Sequence, residues 1–146
     1  MRVLTTATIA VALLSLGCGR TPPADAPARA VAAARPITDR DWQLVSLGEN
    51  PDPKGSGGQP ITLRLDAATT RAAGFAGCNR YSAGYLLTAD SLKFTAPIST
   101  KMACADGMDA ESSFLAALST IATYQATDST LTLSGPAGPL ARFRAP

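Results

Sequence analysis

The chain has 146 residues, 46% of them hydrophobic and 16% charged, with 13 basic and 11 acidic side chains and no histidine. That length suits one domain with a single core and is too short for two. Near-neutral charge and 5% aromatic content argue against nucleic-acid binding, which needs a concentrated basic face, and the missing histidine removes the usual partner of a catalytic thiol.

Met1-Arg2 is a minimal positive start, and Val3 to Leu16 carries no charge before the small residue Gly17. This pattern predicts a secretory signal over residues 1–17, shorter than the ~20 apolar residues of a membrane-spanning helix. Leu14-Ser15-Leu16-Gly17 directly before Cys18 resembles a bacterial lipobox, although Ser15 stands where Leu is commonest. The resemblance implies cleavage before Cys18 and acylation of its thiol, and two or more acyl chains hold a protein stably on a bilayer. Gly19 occupies the place where lipoproteins kept at the inner membrane often carry Asp, so the resemblance points to the outer membrane, facing the periplasm.

Residues 18–37 then read as the acylated Cys18 and an Ala/Pro-rich tether, with Pro22, Pro23, Pro27 and Pro36 opposing any long regular element. At roughly 3.1 Å per residue such a tether reaches up to ~50 Å from the bilayer. Arg2, Arg20, Arg29 and Arg35 all precede Ile37, which leaves the body of the chain nearly neutral.

Residues 38–146 form the predicted domain, and their pattern is mostly of period two. Trp42 to Leu47 is the first strand, followed by a long mobile loop from Asn50 to Pro60 that is rich in Pro, Gly and Ser. Ile61, Leu63 and Leu65 alternate with Thr62 and Arg64 as a half-buried strand does. Further strands are predicted at Thr70 to Phe75, Ser82 to Leu87 and Ser91 to Phe94. Between Asp109 and Ile121 the period changes: Ala110, Phe114, Ala117, Leu118 and Ile121 recur at helical spacing, and Asp106, Asp109 and Glu111 place acid where a helix N-terminus prefers it. Strands return at Thr123 to Thr127, around Leu131 and Leu133, and at Leu140 to Arg144. The expected class is α+β, mostly β: a small antiparallel sheet or barrel-like fold with one helix covering or plugging one side.

With Cys18 assigned to lipid, Cys78 and Cys104 remain as an even pair suited to a disulfide in an oxidising compartment. Gly77 and Asn79 tolerate left-handed or bulged backbone, so Cys78 belongs at a turn or strand edge where it can be aimed at a partner. If Cys104 is that partner, closing a loop of roughly 27 residues is worth ~3.5 kcal/mol in the chain-entropy account.

These motifs carry a likeness. Trp42-x-Leu44, Gly77-Cys78-Asn79-Arg80-Tyr81, Leu92-x-Phe94 leading into Thr100-x-Met102-Ala103-Cys104, Glu111 with Phe114 and Leu118, then Leu131-x-Leu133 and Phe143 together resemble the META domain, typified by the HslJ-like heat-shock lipoproteins of bacteria. The resemblance implies a small antiparallel β fold with one helix, an envelope location and links to stress or antibiotic tolerance. It implies no enzymatic activity. The Pro/Gly loop at 50–60 and Pro97, expected to interrupt its strand, depart from the pattern.

Other chemistries fit less well. A thiolate nucleophile would have only Lys101 or Arg80 to lower its pKa and no base beside it. Zinc lacks CxxC spacing, Lys54-Gly55-Ser56-Gly57-Gly58 lacks the end of a phosphate loop, and Asp106, Asp109 and Glu111 lack the alternating spacing of a calcium loop. Neither a metal nor a cofactor is expected. Asn79, Arg80, Tyr81, Tyr85 and Lys101 form the best candidate recognition surface, against the reading that such groups satisfy the turn and pack the sheet. The expected function is a lipid-anchored, non-enzymatic envelope protein that binds or supports another envelope component under stress. The alternative is a binding module for a small hydrophobic ligand in a barrel-like cavity.

Overall fold

In the computed structural model, residues 36–146 are described; the expected signal, Cys18 and the tether up to residue 35 lie outside them. Alternating apolar and polar residues generate most of the structure. The strands are β1 (Asp41–Leu47), β2 (Asn50–Pro51), β3 (Thr62–Asp66), β4 (Arg71–Phe75), β5 (Arg80–Leu87) and β6 (Leu92–Ser99). Helix α1 (Met108–Leu118) precedes β7 (Thr123–Ala126), β8 (Thr130–Gly135) and β9 (Gly138–Arg144). In β3 the alternation is complete, with Leu63 and Leu65 fully buried and Arg64 exposed between them.

All nine strands belong to one antiparallel sheet, ordered β6-β5-β4-β3-β1-β9-β8-β7, with β2 attached to β1. β1 holds the centre, pairing Trp42 with Leu63 on one side and Leu44 with Phe143 on the other. The sheet curls without closing. β6 and β7 do not form a ladder and are joined through one bridge, Ser91 to Thr123, supported by the Leu92 N–H donating to the Ala122 carbonyl at 3.3 Å. The Tyr124 hydroxyl also donates across this junction to the Ala89 carbonyl at 3.1 Å. α1 packs against β6 and leads directly into the junction.

Inside the curl, Trp42, Leu44, Ile61, Leu63, Leu65, Leu131, Leu133 and Phe143 form the core with Phe114 and Leu118 from α1. Burying each such side chain stabilises the fold by about 1.5–3 kcal/mol. Phe114 plugs the interior: its ring lies 5.4 Å from that of Tyr81 and 6.3 Å from that of Phe143, edge to face in both cases. The Trp42 indole N–H donates to the Ile37 carbonyl at 2.9 Å, and the Arg40 guanidinium covers the indole ring at 4.5 Å.

Two expectations are corrected by the backbone. The loop expected from Asn50 to Pro60 contains β2 and a 3-10 turn at Ser56–Gly58, because Gly48 takes a left-handed φ of 55° and folds Asn50 and Pro51 back onto β1. Pro97 does not end β6, which runs on to Ser99. Between the Ser82–Ile98 and Gly84–Thr95 pairs β6 carries one more residue than β5, and this bulge with its left-handed Ala96 takes up the irregularity on a strand with only one ladder partner, where a missing N–H costs little. Among the described residues no helix is long and apolar enough to cross a membrane.

Candidate functional site

The turn between β4 and β5 is where distant parts of the chain converge. Gly77 has a φ of 146°, and a Cβ there would meet the Gly107 carbonyl oxygen at 2.5 Å and the Glu111 nitrogen at 2.8 Å. Gly107, with a φ of 82°, is reciprocally tight: a Cβ on it would lie 2.6 Å from the Gly77 oxygen and from the Ser56 nitrogen. Only glycine lets these backbones approach so closely. The Ser56 N–H takes advantage of it, donating to the Gly77 carbonyl at 2.6 Å.

α1 then delivers Glu111, a buried carboxylate, to the underside of the turn. Its Oε2 accepts from the backbone N–H groups of Cys78 at 3.0 Å and Asn79 at 2.5 Å, and its Oε1 accepts from Asn79 Nδ2 at 3.0 Å. Asn79 passes the constraint on. Its Oδ1 accepts from Thr100 Oγ1 and from the Met102 N–H, both at 2.8 Å, while Nδ2 also donates to the Met102 carbonyl at 3.2 Å. Both amide protons and both acceptor positions of Asn79 are thereby engaged.

The disulfide Cys78–Cys104, with Cα atoms 5.9 Å apart, fastens the same 100–104 segment a second time. Pairing of these two cysteines agrees with the expectation from their parity. Together the amide, the carboxylate and the disulfide tie turn 76–79, segment 100–104 and α1 into one unit. The result is a charge-assisted clamp, in which every buried polar group is answered by another.

The expected recognition surface divides in two. Asn79, Tyr81 and Tyr85 are buried, so they are corrected from surface to interior. The Tyr81 hydroxyl donates to the Thr62 carbonyl at 3.1 Å, and that of Tyr85 to the Asp66 carbonyl at 2.9 Å. Strand alternation explains this, because positions 81, 83 and 85 of β5 share the core face. Arg80 and Lys101 are exposed beside the clamp. Glu111 had been legible as first-turn acid and as part of the family's helix; its acceptor role depends on donors more than thirty positions away in the chain.

Burial raises the pKa of the Tyr81 phenol well above its ordinary value. For Tyr85 burial acts first and the Asp39 and Asp66 charges add to it in the same direction. A raised folded-state value means that Tyr81 contributes stability fully below pH 10.0, the ordinary value of the phenol, and that this is lost as pH climbs above it. Accordingly, the urea midpoint should fall more steeply above pH 10.0 in the wild type than in Tyr81→Phe, which loses about 1 kcal/mol at neutral pH with the hydroxyl bond. Parallel alkaline profiles would show that this phenol stays solvated.

Above the clamp two shallow depressions join through Arg80 and Thr100. One, of about 420 Å³, is lined by Gln59, Phe75, Cys78, Arg80, Thr100 and Met102. The other, of about 290 Å³, adds Ser82 and Ile98 on the outer face of β5 and β6. Both open to solvent, whereas the interior of the curl is occupied by Phe114 and its ring neighbours.

The sequence model of a family described as META domain matches residues 35–146. The chain belongs to the META domain family. Its META domain therefore contains the clamp, the disulfide and both depressions. A protein from Burkholderia xenovorans solved by NMR is similar, at 27% identity and a TM-score of 0.58, over 75% of this chain and 83% of that one. A second NMR structure, 21% identical, shares the fold at a TM-score of 0.58 over 75% of this chain and 91% of the other. No curated protein matches the chain.

Proposed function

We propose that this chain is a lipid-anchored protein of the bacterial cell envelope, held at the outer membrane and facing the periplasm, whose META domain acts by non-enzymatic interaction in stress tolerance. The observation that supports this reading is the saturation of the motif itself. Glu111 and Asn79, its most reactive-looking polar groups, are turned inward to hold the turn, while Arg80, Lys101 and Met102 are presented outward on a fixed frame. A disulfide across that frame suits an oxidising compartment.

The interior packing of Phe114 favours contact at the outer surface over a small hydrophobic ligand held inside the curl. The anchor is tested separately. Metabolic labelling with a palmitate analogue should tag the wild type and leave Cys18→Ala unlabelled, with the variant released from the membrane fraction. Equal labelling of both proteins would refute acylation at Cys18.

A further inference from the structure

Ile98 and Met102 are 64% and 60% exposed, and they account for two of the four large exposed hydrophobic side chains among the described residues. Both line the joined depressions, with Phe75 at one end and Arg80 between them. Scattered apolar residues need no explanation, but a continuous surface of Met, aromatic and Arg side chains has the composition of an interface centre. Neither depression is lined by an acid. Arg80 is in no ion pair among the described residues, and neither is Lys101, which sits between Thr100 and Met102.

We infer that this surface docks an acidic, amphipathic segment of a partner protein: apolar side chains against Phe75, Ile98 and Met102, carboxylates on Arg80 and Lys101. The inference rests on the anchored reading above and names the chemistry of its partner. Three observations select this occupant. First, the surface is prearranged, because Asn79 holds both the N–H and the carbonyl of Met102 and the disulfide fixes Cys104 two residues on, so little ordering remains for binding to overcome. Second, the segment binds by side chains and not by adding a strand. The nearby edge of β6 carries Pro97, a left-handed Ala96 and a bulged ladder, all of which oppose strand addition.

Third, the surface stands at the opposite end of β4 from Asp39, near which the described residues begin. The chain enters the domain beside the far end of β3, where the Asp39 N–H donates to the Leu65 carbonyl at 2.7 Å. Asp66 at that end pairs with Arg71, and β4 then runs about 13 Å before Phe75 pairs with Arg80 at the docking pole. Residues 36–40 therefore do not cover the surface. A second copy is disfavoured, since a two-fold interface would bring together two patches that each carry Arg80 and Lys101 and are lined by no acid.

The test uses the full-length chain with methyl-13C methionine, carried in phosphatidylcholine nanodiscs and titrated with a soluble peptide of Asp, Glu, Leu and Phe. The Met102 methyl signal should move while that of Met108 does not, and a counterpart peptide with Lys and Arg replacing the acids should leave both in place. Arg80→Glu combined with Lys101→Glu should weaken binding about tenfold while melting with the wild type, and Arg142→Glu on β9 should bind as the wild type does. Equal binding of the basic peptide, or undiminished affinity in the double variant, overturns the inference. So does a Met102 shift produced by phosphatidylglycerol in the nanodisc without peptide, or by raising the protein concentration, which would assign the surface to lipid or to a second copy. A chain that binds the acidic peptide but leaves the nanodisc counts against the anchor alone; one that stays and ignores the peptide counts against this docking surface alone.

Discussion

Replacing Glu111 by Ala should lower the stability of the domain by about 4 kcal/mol, measured by urea unfolding with the disulfide intact. Three donors lose their acceptor at once: the N–H groups of Cys78 and Asn79 and one amide proton of Asn79. Each buried donor left without a partner costs roughly 1–3 kcal/mol, and the site is too enclosed for water to answer all of them. Glu111→Gln should lose about half as much, because one amide oxygen can still accept while the new NH2 group is set against donors. The truncated side chain is on a helix whose packing residues, Phe114 and Leu118, are unchanged, so the effect reports the clamp and not the core. A loss below about 1 kcal/mol would mean that the turn holds itself.

Removing the disulfide should cost about 3.5 kcal/mol, read from the double variant Cys78→Ala, Cys104→Ala. The bond joins positions separated by 26 residues, and opening it returns that loop's freedom to the unfolded chain. The clamp and the disulfide act on the same segment from two sides. Asn79 still holds Thr100 and Met102 when the bond is cut, so amide exchange should quicken at residues 103–107 and less at Met102 itself. Adding reductant to the wild type should reproduce the double variant. Unchanged stability under both treatments would show that the remaining contacts already restrain the loop in the unfolded ensemble.

Most of the sheet was readable from the chain because one face of each strand is buried. Ile61, Leu63 and Leu65, or Leu131 and Leu133, alternate visibly, and the helical spacing of Phe114 and Leu118 is equally local. The helix expected from Asp109 to Ile121 is observed at Met108–Leu118, and all the expected strands are found within a few residues of their places. What was not legible is long-range. Asn79 gave away its turn, but its partners Glu111, Thr100 and Met102 lie 21 to 32 positions further on, and nothing in the local pattern distinguishes an exposed recognition residue from a buried one with distant partners. Tyr81 and Tyr85 were hidden for a related reason: their ring faces follow β5 alternation into the core, while their hydroxyls reach carbonyls on another strand. Pro97 misled in the opposite sense, since its tolerance depends on β6 having a single ladder partner, a property of strand order alone.

The same division bears on function. The Gly-Cys-Asn-Arg-Tyr run marks the family, yet four of its five members build the frame and only Arg80 faces outward from it. Variants of the frame should therefore act through stability, and variants of Arg80, Lys101, Ile98 or Met102 should change interaction while leaving the fold intact.

The central claim, that the motif's polar groups exist to clamp this turn against α1, is tested most directly by a double-mutant cycle between Asn79→Ala and Glu111→Ala. The cycle isolates the buried bond from Asn79 Nδ2 to Glu111 Oε1, 3.0 Å long and charge-assisted. The expected coupling is about 1.5–3 kcal/mol. Strict additivity of the two single losses would contradict the clamp and return Asn79 to the candidates for ligand contact.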